Sequence, residues 1–268
     1  MATRMPAVAG RFYPGARQAL LADLDRYTVA AGERLAARGV VAPHAGYMYS
    51  GAVAGAVYGA VQVPARLVIL CPNHTGLGEP LAIMGRGSWR TPLGDAAIDE
   101  ALAAALTRAL PELADDESAH RFEHSLEVQL PFVQRQQPGA RFVPVCVGTA
   151  DLGLLLRLGD ALATAVAAAG EPVLLVASSD MTHYESAPDA RRKDTLAVER
   201  METLDPAGLA AVVRRESISM CGWAPAVAVM QACKKLGATR GRLVRYATSG
   251  DVTGDNSSVV GYAGVAFI

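Results

Sequence analysis

The chain has 268 residues, of which 51% are hydrophobic and 19% are charged, and its formal net charge is −1. This composition supplies a large apolar core and excludes a disordered chain. A near-neutral charge gives no basis for a nucleic-acid interface. The first residues lack the segments of a signal peptide, and no stretch has the roughly 18 apolar residues of a membrane span. We therefore expect a soluble, cytoplasmic protein.

Four cysteines are spread along the chain without a Cys-x-x-Cys pair. So few in so long a chain do not indicate a disulfide scaffold, and we expect reduced thiols. Cys71, Cys146 and Cys233 occur in apolar segments and are predicted to be small buried side chains. Cys221 differs, because a glycine and then a proline follow it. This pattern predicts a turn into a helix, whose N-terminal dipole favours a thiolate.

The predicted secondary structure alternates between strands and helices. Apolar periodicity predicts helices over residues 16–37, 51–62, 96–110, 122–136, 151–169, 189–203, 205–214 and 223–236. Apolar runs predict strands at 39–42, 67–71, 80–84, 141–147 and 172–178, with two or three closing strands within 243–268. The turn sequence RTPLGD (90–95) is expected to lead into the third helix. The Ala- and Gly-rich helix 51–62 is expected to pack closely on the sheet.

This alternation predicts an α/β fold: a mostly parallel or mixed central sheet with helices on both faces, hence three layers. No Pro-, Gly- or Ser-rich linker and no internal repeat divides the chain, so we expect a single domain over residues 1–268. In open α/β sheets, ligands bind beyond the carboxyl ends of the strands. The residues that follow the predicted strands are therefore the first candidates for a site.

Three of the five histidines follow predicted strands within a few residues, namely His44, His74 and His183. If these strands are parallel, their loops open on one edge of the sheet, and the imidazoles converge together with Asp180. The alternative is that each histidine is a loop residue with its own backbone partner. Neutral imidazole is a common ligand of iron, copper and zinc, so convergence predicts a metal.

Two histidines leave a metal site incomplete, and Asp180, Glu127 and Cys221 all remain candidates for a third ligand. In the segment EHSLEVQLPF (123–132), helical spacing would put His124 and Glu127 on one face. The alternative for these two is a solvated or structurally bonded pair. His120, in the acidic loop DDESAH, is expected at the surface.

A series of motifs runs in order along the chain: GRFYP (10–14), APHAGYMYSG (42–51), PNH (72–74), WRTPLG (89–94), EHSLEVQLPF (123–132), SSDMTHY (178–184), CG (221–222) and SSVVGYAG (257–264). In these motifs the chain resembles the Memo family, the B component of the bacterial and archaeal set called AmmeMemoRadiSam. The resemblance covers essentially the whole sequence. It implies a fold similar to that of class III extradiol dioxygenases, non-heme iron enzymes that hold iron with two histidines and a glutamate.

The resemblance implies particular residues for the site. Its metal ligands would be His44, His74 and Cys221, with the cysteine in place of the glutamate. His183 would match the acid–base histidine of the dioxygenases, and Asp180 could orient one of its ring nitrogens.

The motifs also put further residues in the pocket. His124 would be a second catalytic histidine, and Tyr47, Asn73 and Glu127 would line the pocket. The sequence departs from some relatives at Thr75, where they carry another histidine.

Two imidazoles and a thiolate leave positions open for dioxygen, substrate or water, and favour Fe(II), Cu(I) or zinc over magnesium. We expect Fe(II), with copper or zinc as alternatives. Because a thiolate is itself oxidisable, ring cleavage does not follow from the fold alone. The predicted function is a metal-dependent redox enzyme, dioxygenase-like in fold, that acts on an unknown small molecule.

Two other functions stay open. One is a non-catalytic binding or signalling module for a peptide or protein, because animal members of the family are linked to receptor-tyrosine-kinase signalling. The other is a metal-free cysteine hydrolase that uses Cys221 with His44 or His183. The resemblance also implies AMMECR-like and radical-SAM proteins as partners. No nucleic-acid or membrane partner is expected.

Overall fold

The structure is a computed structural model that describes residues 3–29 and 32–268. Its strands are β1 (Thr3–Arg4), β2 (Gly39–Ala42), β3 (Arg66–Pro72), β4 (Leu81–Ile83), β5 (Ser88–Thr91), β6 (Gly94–Ile98), β7 (Ala114–Asp115), β8 (Arg141–Val147), β9 (Val173–Ser178), β10 (His183–Glu185), β11 (Gly241–Thr248) and β12 (Val259–Phe267). Its α-helices are α1 (Arg17–Tyr27), α2 (Tyr47–Ala60), α3 (Glu100–Ala109), α4 (Leu130–Gln136), α5 (Leu152–Ala167), α6 (Ala187–Glu202), α7 (Pro206–Arg215), α8 (Trp223–Lys235) and α9 (Gly250–Thr253). Within the described ranges, none of these helices is long and apolar enough to cross a membrane.

The strands form one mixed sheet in the order β1-β5-β6-β8-β3-β9-β2-β12-β10, with β11 paired to β12 and β4 paired to β7 and β8. Its centre is parallel, because β3 pairs in parallel with β8 and β9, and β9 in turn with β2. The sheet turns antiparallel at β12, which pairs with β2 and β11. The predicted α/β class with a mixed sheet is confirmed.

Two apolar cores lie on opposite faces of the sheet, because successive side chains of a strand point to opposite sides. Val68 and Leu70 of β3 belong to the core that α3, α5, α6, α7 and α8 cover. Leu67 and Ile69 belong to the other core, under α1, α2 and α4. This arrangement is the predicted three-layer sandwich of helices, sheet and helices.

The glycines of α2 pack against the end of α1 rather than against the sheet. A Cβ on Gly51 would lie 2.7 Å from the ring of Tyr27, and one on Gly55 would meet the Tyr27 main chain. Near the other end of α2, a Cβ on Gly59 would lie 2.7 Å from the Val29 carbonyl oxygen. The small residues of this helix therefore permit a close approach of the chain after α1.

The predicted helix over 16–37 is wrong beyond residue 27. The described part of the remainder is not helical, and residues 30 and 31 lie outside the described residues. Leu35 pairs instead with Val61, donating a hydrogen bond to the Ala60 carbonyl (2.8 Å) and accepting one from Gln62 (2.9 Å). A tertiary pairing thus overrides the helical propensity of this Ala- and Arg-rich segment.

The sequence RTPLGD also differs from its prediction. It forms the turn of the antiparallel β5–β6 hairpin, in which Gly94 has a φ of 123°, and α3 begins only at Glu100. Asp99 caps that helix by accepting a hydrogen bond from the N–H of Leu102 (3.1 Å). Turn residues mark a reversal of the chain but do not identify the element that follows.

The segment 122–136 is helical only in its second half. A 3₁₀ turn at Glu127–Gln129 leads into α4, and residues 121–124 lie in bends and coil. Pro131 stands in the first turn of α4, where it does not break the helix because its missing N–H would have no partner there. The predicted helix over 122–136 therefore begins only at this turn, and Pro131 does not interrupt it.

Candidate metal centre

Three neighbouring parallel strands bring the candidate ligands together. β3, β9 and β2 are adjacent and end at the same edge of the sheet. His44 and His74 lie two residues beyond β2 and β3, and Cys221 lies just before α8. One ligand atom of each of these three residues lies within 4.8 Å of the others. Sγ of Cys221 is 3.2 Å from Nε2 of His44.

The hydrogen bonds of Ser178 fix the tautomer of His44. Oγ of Ser178 donates its single proton to the Ser125 carbonyl (2.6 Å) and accepts from Nε2 of Gln129 (2.8 Å). Nδ1 of His44 lies 3.0 Å from the same oxygen, so it must be the donor of that bond. Nε2 of His44 is therefore unprotonated and directs its lone pair toward Cys221.

Glu123 fixes the tautomer of His74 in the same way. Its carboxylate is buried and accepts from both the N–H (2.6 Å) and the Nδ1 (3.0 Å) of His74. Burial opposes ionisation of Glu123, but hydrogen bonds from His74 and Ser125 outweigh it and lower its pKa to about 2. The carboxylate therefore keeps the proton of His74 on Nδ1 and leaves Nε2 free to bind a metal.

The loop of Cys221 packs directly against the end of β9. The N–H of Gly222 donates to Oγ of Ser179 (3.0 Å), and the N–H of Asp180 points at Sγ of Cys221 (3.3 Å). A Cβ on Gly222 would collide with the Ser178 carbonyl and with Ser179. Only glycine therefore permits the approach that brings the thiol to the histidines.

The thiol of Cys221 is not a thiolate in the metal-free protein. Burial and the nearby Asp180 carboxylate raise its pKa far above the ordinary value. The prediction of a thiolate at the N-terminus of α8 is therefore wrong for the metal-free protein. Burial and the neighbouring negative charge favour the thiol there. Burial likewise lowers the pKa of His44 well below its usual value. A metal cation would displace the thiol proton of Cys221, whereas the lowered pKa of His44 already favours the neutral imidazole that a metal binds.

Contrary to the prediction from the sequence, Asp180 does not orient His183. Its Oδ1 accepts from the N–H groups of His44 (2.7 Å) and Ala45 (3.3 Å), and its Oδ2 lies 3.9 Å from Nε2 of His44. Burial raises the pKa of this carboxyl group. Asp180 therefore positions the main chain of one ligand and contributes a negative charge at the edge of the centre.

His183 is held by main-chain carbonyls. Its Nδ1 lies 2.7 Å from the Met181 oxygen and 3.0 Å from the Ser219 oxygen, and its N–H donates to Oγ of Ser219. Carbonyls accept only, so Nδ1 carries the proton and Nε2 is free to accept one. The half-buried ring is therefore oriented for proton transfer.

His124 lies against the two candidate ligand histidines, His44 and His74. Its ring stacks on that of His74, with centroids 4.9 Å apart, and meets the His44 ring edge-on at 5.7 Å. Phe12 covers another side at 4.8 Å. His74, Glu123 and His124 also offer three atoms within 4.8 Å of one another, a second group that could hold a metal. In this second group, the carboxylate of Glu123 already accepts the two hydrogen bonds that fix His74.

The three predicted pocket residues take up structural contacts. Tyr47 is buried and donates its hydroxyl to the Val128 carbonyl (2.7 Å). Asn73 closes the turn after β3, accepting from Thr75 and Gly76 through Oδ1. These bonds shape the loop of His74 but direct neither polar group at the ligand atoms.

Glu127 also points away from the histidines and anchors the N-terminal segment. Its carboxylate pairs with Arg4 (2.7 Å) and accepts from the N–H groups of Ala7 and Val8 and from the Tyr13 hydroxyl. It therefore does not share a face with His124, because residues 121–124 are not helical. It is a structurally bonded residue, the alternative weighed from the sequence.

His120 is not at the surface as expected but fully buried, with its ring 5.7 Å from that of Trp89. Among the described residues it has no hydrogen-bond partner of good geometry for either ring nitrogen. Burial and the positive charge of Arg4 lower its pKa to about 4, against a weaker effect of the Ala82 carbonyl. The acidic neighbours of His120 in the sequence suggest a surface position, whereas its side chain is buried next to Trp89.

The sequence did not predict that Glu123, Ser178 and Gln129 support the candidate ligands His44 and His74. The available signals were their places within the recognised motifs: Glu123 directly precedes His124, and Ser178 ends β9. The register of the sheet explains why Ser178 lies near His44. In the parallel pair of β2 and β9, Ser178 is aligned with Ala42, which is two residues before His44.

Comparison with known proteins identifies the family of the chain. A family model described as Memo-like protein matches residues 4–266. A MEMO1 family protein of Methanopyrus kandleri is 44% identical over 278 residues, covering 98% of both chains. Another, of Aquifex aeolicus, is 40% identical over 270 residues, covering 100% of both.

An uncharacterised protein of Escherichia coli K12, known from its crystal structure, superposes with a TM-score of 0.60 at 14% identity, covering 86% of this chain and 99% of that chain. At this identity the likeness shows the fold alone. The family model and the relatives show more, because they span nearly the whole sequence, and by them the chain belongs to the Memo-like protein family.

Proposed function

We propose that the protein is a metal-dependent redox enzyme that binds one ion through His44, His74 and Cys221 and acts on a small molecule. The observation that carries the proposal is the convergence of three donor atoms within 4.8 Å from three separate loops. Both imidazoles have Nδ1 fixed by a hydrogen bond, so both present Nε2. Such orienting bonds typically accompany metal-ligating histidines.

The donor set fits a soft or borderline cation. Two imidazoles and one thiolate suit Fe(II), Cu(I) or Zn(II) better than Mg(II) or Ca(II). His74 is the most exposed ligand, with 33% of its side chain accessible, which leaves a path from solvent. A bound Fe(II) or copper ion would supply one-electron chemistry, whereas zinc would supply only polarisation. Fe(II) remains our expected cofactor.

The chain's own groups would bind and transfer protons around the ion. Nε2 of His183 can accept or donate a proton, because its Nδ1 is committed to the Met181 carbonyl. His124 presents a second imidazole, whose pKa is lowered by burial, so that it is neutral at physiological pH. Asp180 and Glu123 hold the ligand loops in place and keep negative charge at the edge of the centre.

A cysteine hydrolase is the second candidate, because Sγ of Cys221 and Nε2 of His44 lie 3.2 Å apart. A nucleophilic cysteine needs a lowered pKa or a base that can take its proton. Here the pKa of the thiol is raised and that of His44 is lowered, so the neutral pair is favoured over the ion pair. The electrostatics therefore favour the metal enzyme.

Metal content tests the proposal. Wild-type protein would be purified without air or chelator, offered Fe(II), Cu(I) and Zn(II) in turn, desalted and analysed by mass spectrometry for bound metal. We expect about one ion per chain and its loss in His44→Gln, His74→Gln and Cys221→Ser. The matched control is Cys233→Ala, which removes a buried thiol far from the centre and should retain the ion.

Redox function needs a second readout. Iron- or copper-loaded protein should be oxidised and reduced reversibly, with a potential that shifts when Cys221 becomes serine, because thiolate is the strongest electron donor of the set. Wild type that takes up no iron or copper under any loading condition would refute the proposal. Metal-free protein that hydrolyses activated esters in a Cys221-dependent way would support the hydrolase instead.

A further inference from the structure

Tyr184 is a large aromatic residue that lies exposed next to His183, the candidate acid–base residue. Tyr184 is 79% exposed, and the centroid of its ring lies 5.8 Å from that of His183, the preceding residue. Aromatic side chains usually contribute to folding through burial. An aromatic ring in solvent next to a catalytic candidate therefore has no role in the core of the protein.

The backbone at Tyr184 is strained. Its φ is 60°, in the left-handed region that glycine adopts freely and other residues adopt at a cost. The pairing of β10 with β12 is also irregular: His183 pairs with Val260 and Glu185 with Val259, so Tyr184 is the extra residue of a bulge. Bulges and strained backbone often lie at functional sites, where they redirect side chains.

The bulge explains the orientation of His183 but not the tyrosine. It allows the His183 N–H to reach Ser219 and Nδ1 to reach the Met181 carbonyl. A glycine at position 184 would permit the same backbone without strain. The choice of a bulky aromatic residue there points to a use for the ring itself.

Apolar side chains flank the other histidines of the centre as well. Phe12 contacts the ring of His124 at 4.8 Å, so each of the two histidines outside the ligand set has an aromatic neighbour. The centre thus combines polar donor atoms with apolar side chains around them.

We propose that Tyr184 is a specificity-determining residue that packs against the apolar body of the substrate. The inference rests on the proposed function and deepens it by naming the substrate class: a molecule with a polar, metal-binding head and an apolar chain of several carbons. The head reaches the ion held by His44, His74 and Cys221. The chain extends past His183 and lies against the ring of Tyr184.

Binding of alkyl hydroxamates to zinc-loaded protein tests this inference. Their head is a constant metal chelator, and their chain grows from acetohydroxamate to octanohydroxamate. Zinc is redox-inert, so the ion itself does not promote oxidation of Cys221 during calorimetric titration under nitrogen. For the wild type we expect each added methylene to tighten binding by about two- to four-fold, the range for partial to full burial of a methylene.

Three variants separate the ring from the backbone. Tyr184→Gly should bind acetohydroxamate as the wild type does but lose the gain per methylene, and Tyr184→Phe should keep the gain. The melting temperature of Tyr184→Gly should stay equal or rise, because the strain is relieved. Ser217→Gly is the control for strain relief, since Ser217 is exposed with a φ of 50°. It should leave the chain-length dependence unchanged.

Val29→Ser controls for the loss of an exposed apolar side chain, because Val29 is 68% exposed at the far end of α2. It should behave as the wild type. Zinc-loaded wild type that binds every chain length equally overturns the inference and leaves the proposed function standing. So does a Tyr184→Gly variant that keeps the full gain per methylene. Wild type that takes up no zinc, iron or copper overturns both, and metal analysis before the titration reveals that case.

Discussion

One carboxylate, that of Glu123, holds both the main chain and the ring of His74, accepting from its N–H at 2.6 Å and from its Nδ1 at 3.0 Å. A ligand fixed at two points cannot rotate away from the centre without breaking a charge-assisted hydrogen bond. The geometry of His74 is therefore preorganised before any ion arrives.

Replacing Glu123 by glutamine should weaken metal binding without removing a ligand. The amide keeps the shape of the side chain but loses the charge that draws the His74 proton to Nδ1. We expect the metal affinity to fall about 10- to 100-fold, the usual effect of losing such an orienting partner. Competition with a chromophoric chelator measures it. Glu117→Gln, in an exposed position of the same loop, is the control, and equal affinities of the two variants would contradict the role of Glu123.

Replacing Gly222 by alanine should disrupt the centre through packing alone. The new methyl group would collide with the Ser178 carbonyl and with Ser179, which forces the Cys221 loop away from β9. We expect the variant to fold, with a lowered melting temperature, and to lose tight metal binding although all three ligands are present. Gly153→Ala, on the exposed side of α5, should keep the metal and gain up to about 1 kcal/mol of stability from helix propensity.

The charge of Asp180 should control the reactivity of Cys221. After burial, this carboxylate is the largest cause of the raised thiol pKa, so Asp180→Asn should lower that pKa. Because thiolates rather than thiols are alkylated, metal-free Asp180→Asn protein should react faster with iodoacetamide than the wild type at the same mildly alkaline pH. Peptide mass spectrometry assigns the label to Cys221. Slower or unchanged labelling would show that the carboxylate does not act on the thiol in this way.

Buried His120 should make the protein sensitive to acid. Its pKa is about 4 in the folded protein and about 6.5 in the unfolded chain, so between these values the unfolded chain binds more protons. Stability is therefore lost as the pH falls through this window and is fully present above it. Replacing His120 by phenylalanine should remove this loss, which amounts to at most about 3 kcal/mol at pH 4. Urea unfolding at pH 7 and pH 4.5 measures it. Equal slopes of stability against pH in both proteins would contradict the assignment.

Local sequence patterns predicted the strands that build the centre because buried parallel strands are continuous apolar runs bounded by turns. The strands 39–42, 67–71 and 172–178 are found within about one residue, and they are parallel neighbours. The convergence of the loops of His44 and His74 follows from that order. The position of Cys221 depends instead on how the start of α8 packs against the end of β9. The local sequence pattern does not predict that contact.

The supporting residues were harder to predict because they depend on contacts between distant segments. A helical reading of 122–136 favoured Glu127 as the partner of His124, but the chain there is extended and bent, which brings Glu123 to the histidines instead. Glu127 forms an ion pair with Arg4 instead, and the two residues are 123 positions apart in the sequence. No periodicity within one segment encodes such a pairing.

The thiol and the first imidazole of the centre are separated by 177 positions along the polypeptide. The strand that leads to His44 is also clamped on one side by β12, which ends at Phe267. During synthesis on the ribosome, a growing chain would therefore expose two histidines long before the sulfur joins them. On the proposed function, the ion binds only after the segment with Cys221 has been made, so translation intermediates and fragments that end before Cys221 should bind no metal.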